Sequence, residues 1–432
     1  MKRLLLLPIL LTALTYMACQ DQPGTPEPPG PALPEGGTPG PPPHVILPDG
    51  PPPQAPAPAG AGPPMRDLIA IGAGNAFSCA LRSGGAAFCW GANGSGQLGD
   101  GTTTSSTVPV AVTGGLTFTQ LVVGDLHACG ITAGQAAHCW GLNDLNGGGQ
   151  LGDGTTTSST VPVAVVGGHS FNSLSAGMRN TCGIATDGVT YCWGQGGSNV
   201  PVPVVGSLAL GFQVVSKGIF WSTCATTTST GDVYCWGLFG GLFGNGGAVL
   251  PPGSPTPVAA ASGMTLATID AGTAYNCGLD AGGTAFCWGL GAPIGNAAAQ
   301  QGNGTFSSSN VPLPVVGGLS FTFLDAHPHN WVLAHTCGIT TSGDTYCWGD
   351  NTTGQLGAPS SDTCSFSGDF DCSTSPLEVL GHHQFSSVAV GIQHTCGVTV
   401  AGRAFCWGEN LNGQLGDGTV QDKKVPVPVR GP

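Results

Sequence analysis

Fourteen of the seventeen cysteines fall into seven pairs of nearly fixed spacing. Cys79/Cys89, Cys129/Cys139, Cys182/Cys192, Cys277/Cys287, Cys337/Cys347 and Cys396/Cys406 share one separation, and Cys224/Cys235 has one residue more. Thiols in such sets either ligate a metal or oxidise to disulfides. Structural zinc wants four ligands, with cysteines two to four residues apart. Here each pair stands alone and flanks a turn, such as Thr186-Asp187-Gly188. Its members therefore face each other across a hairpin, within bridging reach. Cys364 and Cys372 share one further loop, and Cys19 is left over. Eight disulfides are expected, and with them an oxidising compartment.

Other chemistry is sparse. The chain has no Gly-x-Ser-x-Gly, phosphate loop or His-Glu-x-x-His. His327, His329 and His335 lie close in sequence, and alternating imidazoles can hold a metal. An exposed polar loop fits them better, and no metal or cofactor is expected. His127, His335 and His394 recur two residues before a repeat cysteine, which points to scaffold hydrogen bonds. Asp100, Asp153 and Asp417 sit in Gly-Gln-Leu-Gly-Asp-Gly loops. They could ligate calcium, but capping a glycine turn is the simpler role.

The elements that must position these residues repeat seven times. Cys-Trp-Gly begins at Cys89, Cys139, Cys192, Cys235, Cys287, Cys347 and Cys406. Around each copy runs the same order: a Gly-ended apolar strand, a strand holding the first Cys, the Cys-Trp-Gly strand, a glycine loop, and a Pro-Val-x-Val strand. Gly96–Val112 and Gly149–Val165 are identical. Four short strands per unit, seven times over, predict an all-β, seven-bladed propeller of four-stranded antiparallel blades over residues 66–432. The abundant Gly (74 residues) and few charged residues (8%) favour strands and turns over helices. The chain ends on a spare Pro-Val strand, Val425–Val429, which is expected to join the first blade and close the ring. Each Trp of the signature is expected to pack between blades.

Residues 1–19 read as a signal peptide, with Lys2-Arg3 followed by an apolar run too short to span a bilayer. The segment ends in a lipobox-like Ala18-Cys19, so lipidation of Cys19 is expected. Residues 20–65 hold 18 prolines and form a disordered, semi-rigid spacer. The expected setting is an outer-membrane or cell-surface lipoprotein, otherwise a secreted or periplasmic protein. Membrane contact is expected only through the lipid anchor. Net charge is −13, which disfavours nucleic acid. A monomer is expected.

The pattern His-x-Cys-Gly-Ile, Tyr-Cys-Trp-Gly, Gly-Gln-Leu-Gly-Asp-Gly-Thr and Pro-Val-x-Val resembles the repeats of the regulator of chromosome condensation family, in a secreted, disulfide-bonded bacterial form. The resemblance covers residues 66–432 and implies a seven-bladed propeller. Family functions include nucleotide exchange on a small nuclear GTPase and, in secreted bacterial relatives, inhibition of β-lactamases. The matching residues are scaffold, so no exchange-factor site carries over. This chain also departs from the nuclear branch in being acidic, disulfide-bonded and exported.

Strand order places the connections that follow Cys-Trp-Gly, and those between the first two strands, on one face. The long insertions and their aromatics lie in these connections, where binding residues tend to sit. The candidate face comprises Trp221, Phe306, Trp331, Phe366, Asp369, Phe370 and Asp371. A non-enzymatic scaffold that engages a protein or glycan there is the leading expectation. The alternatives are a hydrolase or lyase with a site on the same face, or a structural envelope component.

Overall fold

The computed structural model describes residues 62–144, 148–194, 198–216, 223–239, 252–272, 275–289, 299–326, 334–365 and 368–432. The expected leader, Cys19 and nearly all of the expected spacer lie outside them. The described residues form seven antiparallel sheets, six of four strands and one of five. The blades span residues 68–111, 118–164, 171–203, 212–259, 268–314, 321–378 and 385–428. Among the described residues helix is confined to one short turn, Ser207–Leu210, and a 3-10 turn, Ala261–Gly263. No described helix is long and apolar enough to cross a membrane.

Each repeat builds one blade in chain order. The Gly-ended strands touch one another around the axis. The first-Cys and Cys-Trp-Gly strands follow, and both are buried on both faces in blade 1 (Phe77–Arg82 and Ala87–Gly91). Burial on both faces explains their near-continuous apolar and small residues, in place of the polar alternation of a half-exposed strand. The Pro-Val strand lies outermost, where proline costs no ladder bond on its free side.

This order corrects the expected ring closure. The last strand, Lys423–Pro428, does not join the first blade. It pairs with Ala404–Gly408 of its own blade, with Cys406 opposite Val427. The first blade holds its own Pro-Val strand, Ser106–Ala111, with Val110 opposite Cys89. A short glycine loop brings the Pro-Val strand straight back onto Cys-Trp-Gly, and that local closure costs far less entropy than pairing across the whole chain. The N-terminal edge of the domain does the tying instead. Pro64 bridges Arg430, and the Met65 amide donates to the Val429 carbonyl at 3.0 Å. Met65 is buried with Leu415 and Val429, so the packed unit begins ahead of Arg66.

All eight expected disulfides are present. In the seven repeat pairs the two cysteines stand directly opposite in register, with Cα atoms 4.0 to 4.2 Å apart. The extra residue between Cys224 and Cys235 is absorbed by the turn, where the Gly231 amide donates to Thr227. Cys364 and Cys372 are offset by two positions on their hairpin, at 5.8 Å.

Candidate partner-binding face

Antiparallel order fixes which connections share a face. The turns between second and third strands are short and lie on one face, with the crossovers to the next blade. The connections between first and second strands, and those after Cys-Trp-Gly, lie on the other. This second face is the candidate surface.

Its regular part is scaffold. In blade 1 the Asn93 side chain fills the glycine loop: its Oδ1 accepts from the Leu98 amide at 3.0 Å, and its Nδ2 donates to the carbonyls of Thr102 and Thr104 at 3.1 Å. Asn143 and Asn410 do the same in blades 2 and 7. Sequence reasoning missed these residues. The signal was available, as an Asn two places after Trp-Gly. The aspartates of the loops cap turns: Asp100, Asp153 and Asp417 each accept the amide two residues on, at 2.9 Å.

The same loops join the blades. The carbonyl of Gln414 accepts the Trp90 indole N–H at 2.9 Å, and those of Gln97, Gln150, Gln300 and Gln355 accept Trp140, Trp193, Trp348 and Trp407. Each Trp thus packs between blades, its ring against the second glycine of the preceding loop. Gly357, at φ +69°, has no room for a side chain, because a Cβ would sit 2.9 Å from the Trp407 nitrogen.

Three histidines complete the junctions. His127 Nε2 meets Thr181 at 2.9 Å, His335 meets Thr395 at 2.7 Å, and His394 meets Ser78 at 2.9 Å, each in the next blade. At two further junctions Tyr275 meets Thr336, and Phe77 packs in one apolar cluster with Ala128. At these five junctions a polar residue faces a hydroxyl and an apolar one faces Ala. His335 therefore serves the scaffold and is fully buried; burial pushes its pKa down to about 3. His327 and His329 lie outside the described residues. Among the described residues no group of three or more His, Cys, Asp or Glu could hold a metal.

The irregular part of the face centres on blade 6. There the connection after Cys-Trp-Gly becomes a hairpin of Asp362–Ser365 and Asp369–Glu378, which supplies the fifth strand. Its disulfide is buried against Ala299 of the blade 5 loop. Asp362 holds the turn back toward the sheet, accepting the Thr374 amide and hydroxyl at 2.9 and 2.8 Å. The Gly304 amide donates to Thr374, so the two loops form one surface. Phe306, Asp369 and Asp371 are exposed on it. Phe370 is half-buried and packs on the disulfide. Trp221, Trp331 and Phe366 lie outside the described residues.

A cavity of about 390 Å³ occupies the axis, lined by the innermost strands. Asp270 and Asp325 enter it. Each accepts a main-chain amide of the next blade, of Ala326 at 2.8 Å and of Val390 at 2.5 Å. Gln120 makes the matching bond to Leu174. These contacts tie the inner ring together.

The profile of the regulator of chromosome condensation (RCC1) repeat matches residues 84–131, 342–398 and 401–432, and a second profile of the repeat matches 68–97 and 385–414. The ultraviolet-B receptor UVR8 of Arabidopsis thaliana is 26% identical over 384 residues, covering 84% of this chain and 82% of the receptor. The human E3 ubiquitin-protein ligase HERC2 is 28% identical over 208 residues, which is 47% of this chain and only 4% of the ligase. Among solved structures, Prp20p of Saccharomyces cerevisiae superposes with a TM-score of 0.64 at 18% identity, covering 86% of this chain and 88% of that one. Human WBSCR16 gives 0.61 at 18% identity, over 76% and 86%. By its blades the chain is a seven-bladed β-propeller, and its first and last repeats match the RCC1 repeat.

Proposed function

We propose that this propeller is a non-enzymatic binding scaffold, exported from the cell, that engages a protein through the face bearing the blade 5 and blade 6 insertions. The observation that carries this reading is the asymmetry of the two faces. On one, the turns between second and third strands are minimal at every blade. The other has a hairpin with its own disulfide, locked to a neighbouring loop, with Phe306, Asp369 and Asp371 facing solvent. A stapled loop loses little freedom on binding, so its contacts convert into affinity with less entropic cost. The yeast relative in fold, Prp20p, binds Gsp1p and histones and forms a complex with Kap60, which supports protein binding as the use of such a ring.

Export rests on the disulfides, which need an oxidising compartment, and on the leader ending in Cys19. The described chain enters the propeller at Gly62–Met65, beside Arg430. That entry is on the face opposite the insertions.

The test is a capture experiment from envelope and medium fractions, with the full mature chain. Replacing residues 358–375 with a blade 7 type loop is expected to abolish the partner while cooperative unfolding is kept. Unchanged partners with this variant would refute the face assignment.

A further inference from the structure

Blade 7 is where the ring must close, and its two junctions share an arrangement. On one side His335 of blade 6 bonds Thr395 of blade 7; on the other His394 of blade 7 bonds Ser78 of blade 1. The hydroxyls cannot be the donors to the rings. Thr395 donates to the Gln355 carbonyl at 2.8 Å, and Ser78 donates to that of Gln414 at 3.0 Å. Each ring therefore gives its Nε2 proton to the hydroxyl, a tautomer set by the network. Nδ1 of both rings is buried and has no partner. A second proton would have to sit there, with no acceptor. For His394 the Nδ1 edge lies against Gly391, where a Cβ would come within 2.5 Å.

We propose that blade 7 is an acid-sensitive seam: protonation of His335 and His394 breaks the two latches that flank it and frees the blade that carries the chain's closing contacts. The junction between blades 1 and 2 uses Phe77 and Ala128 in the same places, so it cannot respond.

The other titratable groups around the seam do not cancel this. Asp325, on the innermost strand of blade 6, is engaged with the Val390 amide. Asp350 and Glu409 follow the Cys-Trp-Gly strands that pair with the two histidines, and bond the side chains of Gln355 and Gln414. Burial raises both carboxyl pKa values. A raised carboxyl pKa favours the fold as pH falls, so these two act in the opposite sense and soften the transition. His335 also feels His394 as a like charge, which makes the second protonation harder. Arg403 and His382 act on the outer ring of His383, at the opposite end of the blade. Burial holds both seam histidines down at about 3, below their unfolded value. A lowered folded pKa gives stability that is full above the unfolded pKa near 6.5 and lost as pH falls toward 3. The folded-to-unfolded ratio should drop roughly 30-fold per histidine between pH 7.5 and pH 5.

The experiment is amide hydrogen exchange on the full mature chain at pH 7.5 and pH 5, corrected for intrinsic rates. The expected result is that strands 385–408 and 423–428 lose protection at pH 5 ahead of blades 4 and 5, whose second strands, Thr223–Thr227 and Tyr275–Leu279, hold no histidine; the single latch of His127 on Thr181 excludes blades 2 and 3 as a reference. The paired swaps His394→Phe with Ser78→Ala, and His335→Phe with Thr395→Ala, copy the blade 1–2 junction and should remove that early loss. Should the swaps fail to fold, the wild-type pattern decides alone. Seam protection at pH 5 equal to that of blades 4 and 5, or an early loss that survives the swaps, would overturn the proposal.

Discussion

A chain made without its disulfides should not fold. Each repeat pair closes a loop of about ten residues, worth roughly 2.5–3 kcal/mol by restriction of the unfolded chain. Eight such bonds sum to about 20 kcal/mol, more than the roughly 5–15 kcal/mol by which a typical native domain is stable. The location strengthens the expectation. Every repeat disulfide lies between the two most buried strands of its blade, where the sulfurs serve as core. Expression in a reducing cytosol is expected to give aggregate or an expanded chain with no cooperative thermal transition. The oxidised protein should show a single sharp one. A reduced chain that melts cooperatively within a few degrees of the oxidised form would mean that the hydrophobic core suffices.

Trp407→Ala should cost about 3–5 kcal/mol, the range for truncating a fully buried large aromatic. The indole fills the junction between blades 6 and 7, packs on Phe385 at 5.7 Å, and donates to Gln355 at 2.8 Å. Trp407→Phe separates packing from the hydrogen bond. It keeps much of the apolar area, and the Gln355 carbonyl keeps its bond from Thr395, so about 1 kcal/mol is expected. Trp140→Phe should cost more. Blade 2 has Ala128 in place of a hydroxyl, so the Gln97 carbonyl loses the indole with no such substitute. Denaturant midpoints for the three variants check the order. Equal losses for the two Phe substitutions would mean that the hydroxyls do not share the load.

Much of this was legible in the residues. The Cys-Trp-Gly interval set the blade count, the paired cysteines set the hairpin register, and the period-two logic of antiparallel strands set which loops share a face. The closure was not legible. A Pro-Val strand can pair with the Cys-Trp-Gly strand before it or sit ahead of the next Gly-ended strand, and the linear order of the repeat is the same in both cases. What decides is the glycine loop, where Asn93, Asn143 and Asn410 fold it back on its own blade. The junction residues were half legible. His127, His335 and His394 stood out by recurrence, but their partners lie a whole repeat away. Only the shape of the ring brings His394 to Ser78. Phe370 illustrates the limit for surface residues. Its sequence neighbours suggested an exposed aromatic, yet the hairpin packs its disulfide on Ala299 and carries the ring partly inward.

The reading that function resides in the insertion face meets its most direct test in site-specific photo-crosslinking. A crosslinking phenylalanine analogue can be placed at positions 306, 411 and 420 on that face, and at 205, 208 and 400 on the opposite one. The six side chains are comparably exposed, at 51–74%, so accessibility alone does not favour either set. The account predicts a discrete adduct with a protein partner from position 306 and its neighbours on the insertion face, and none from 205, 208 or 400. Adducts from the opposite face alone would contradict it.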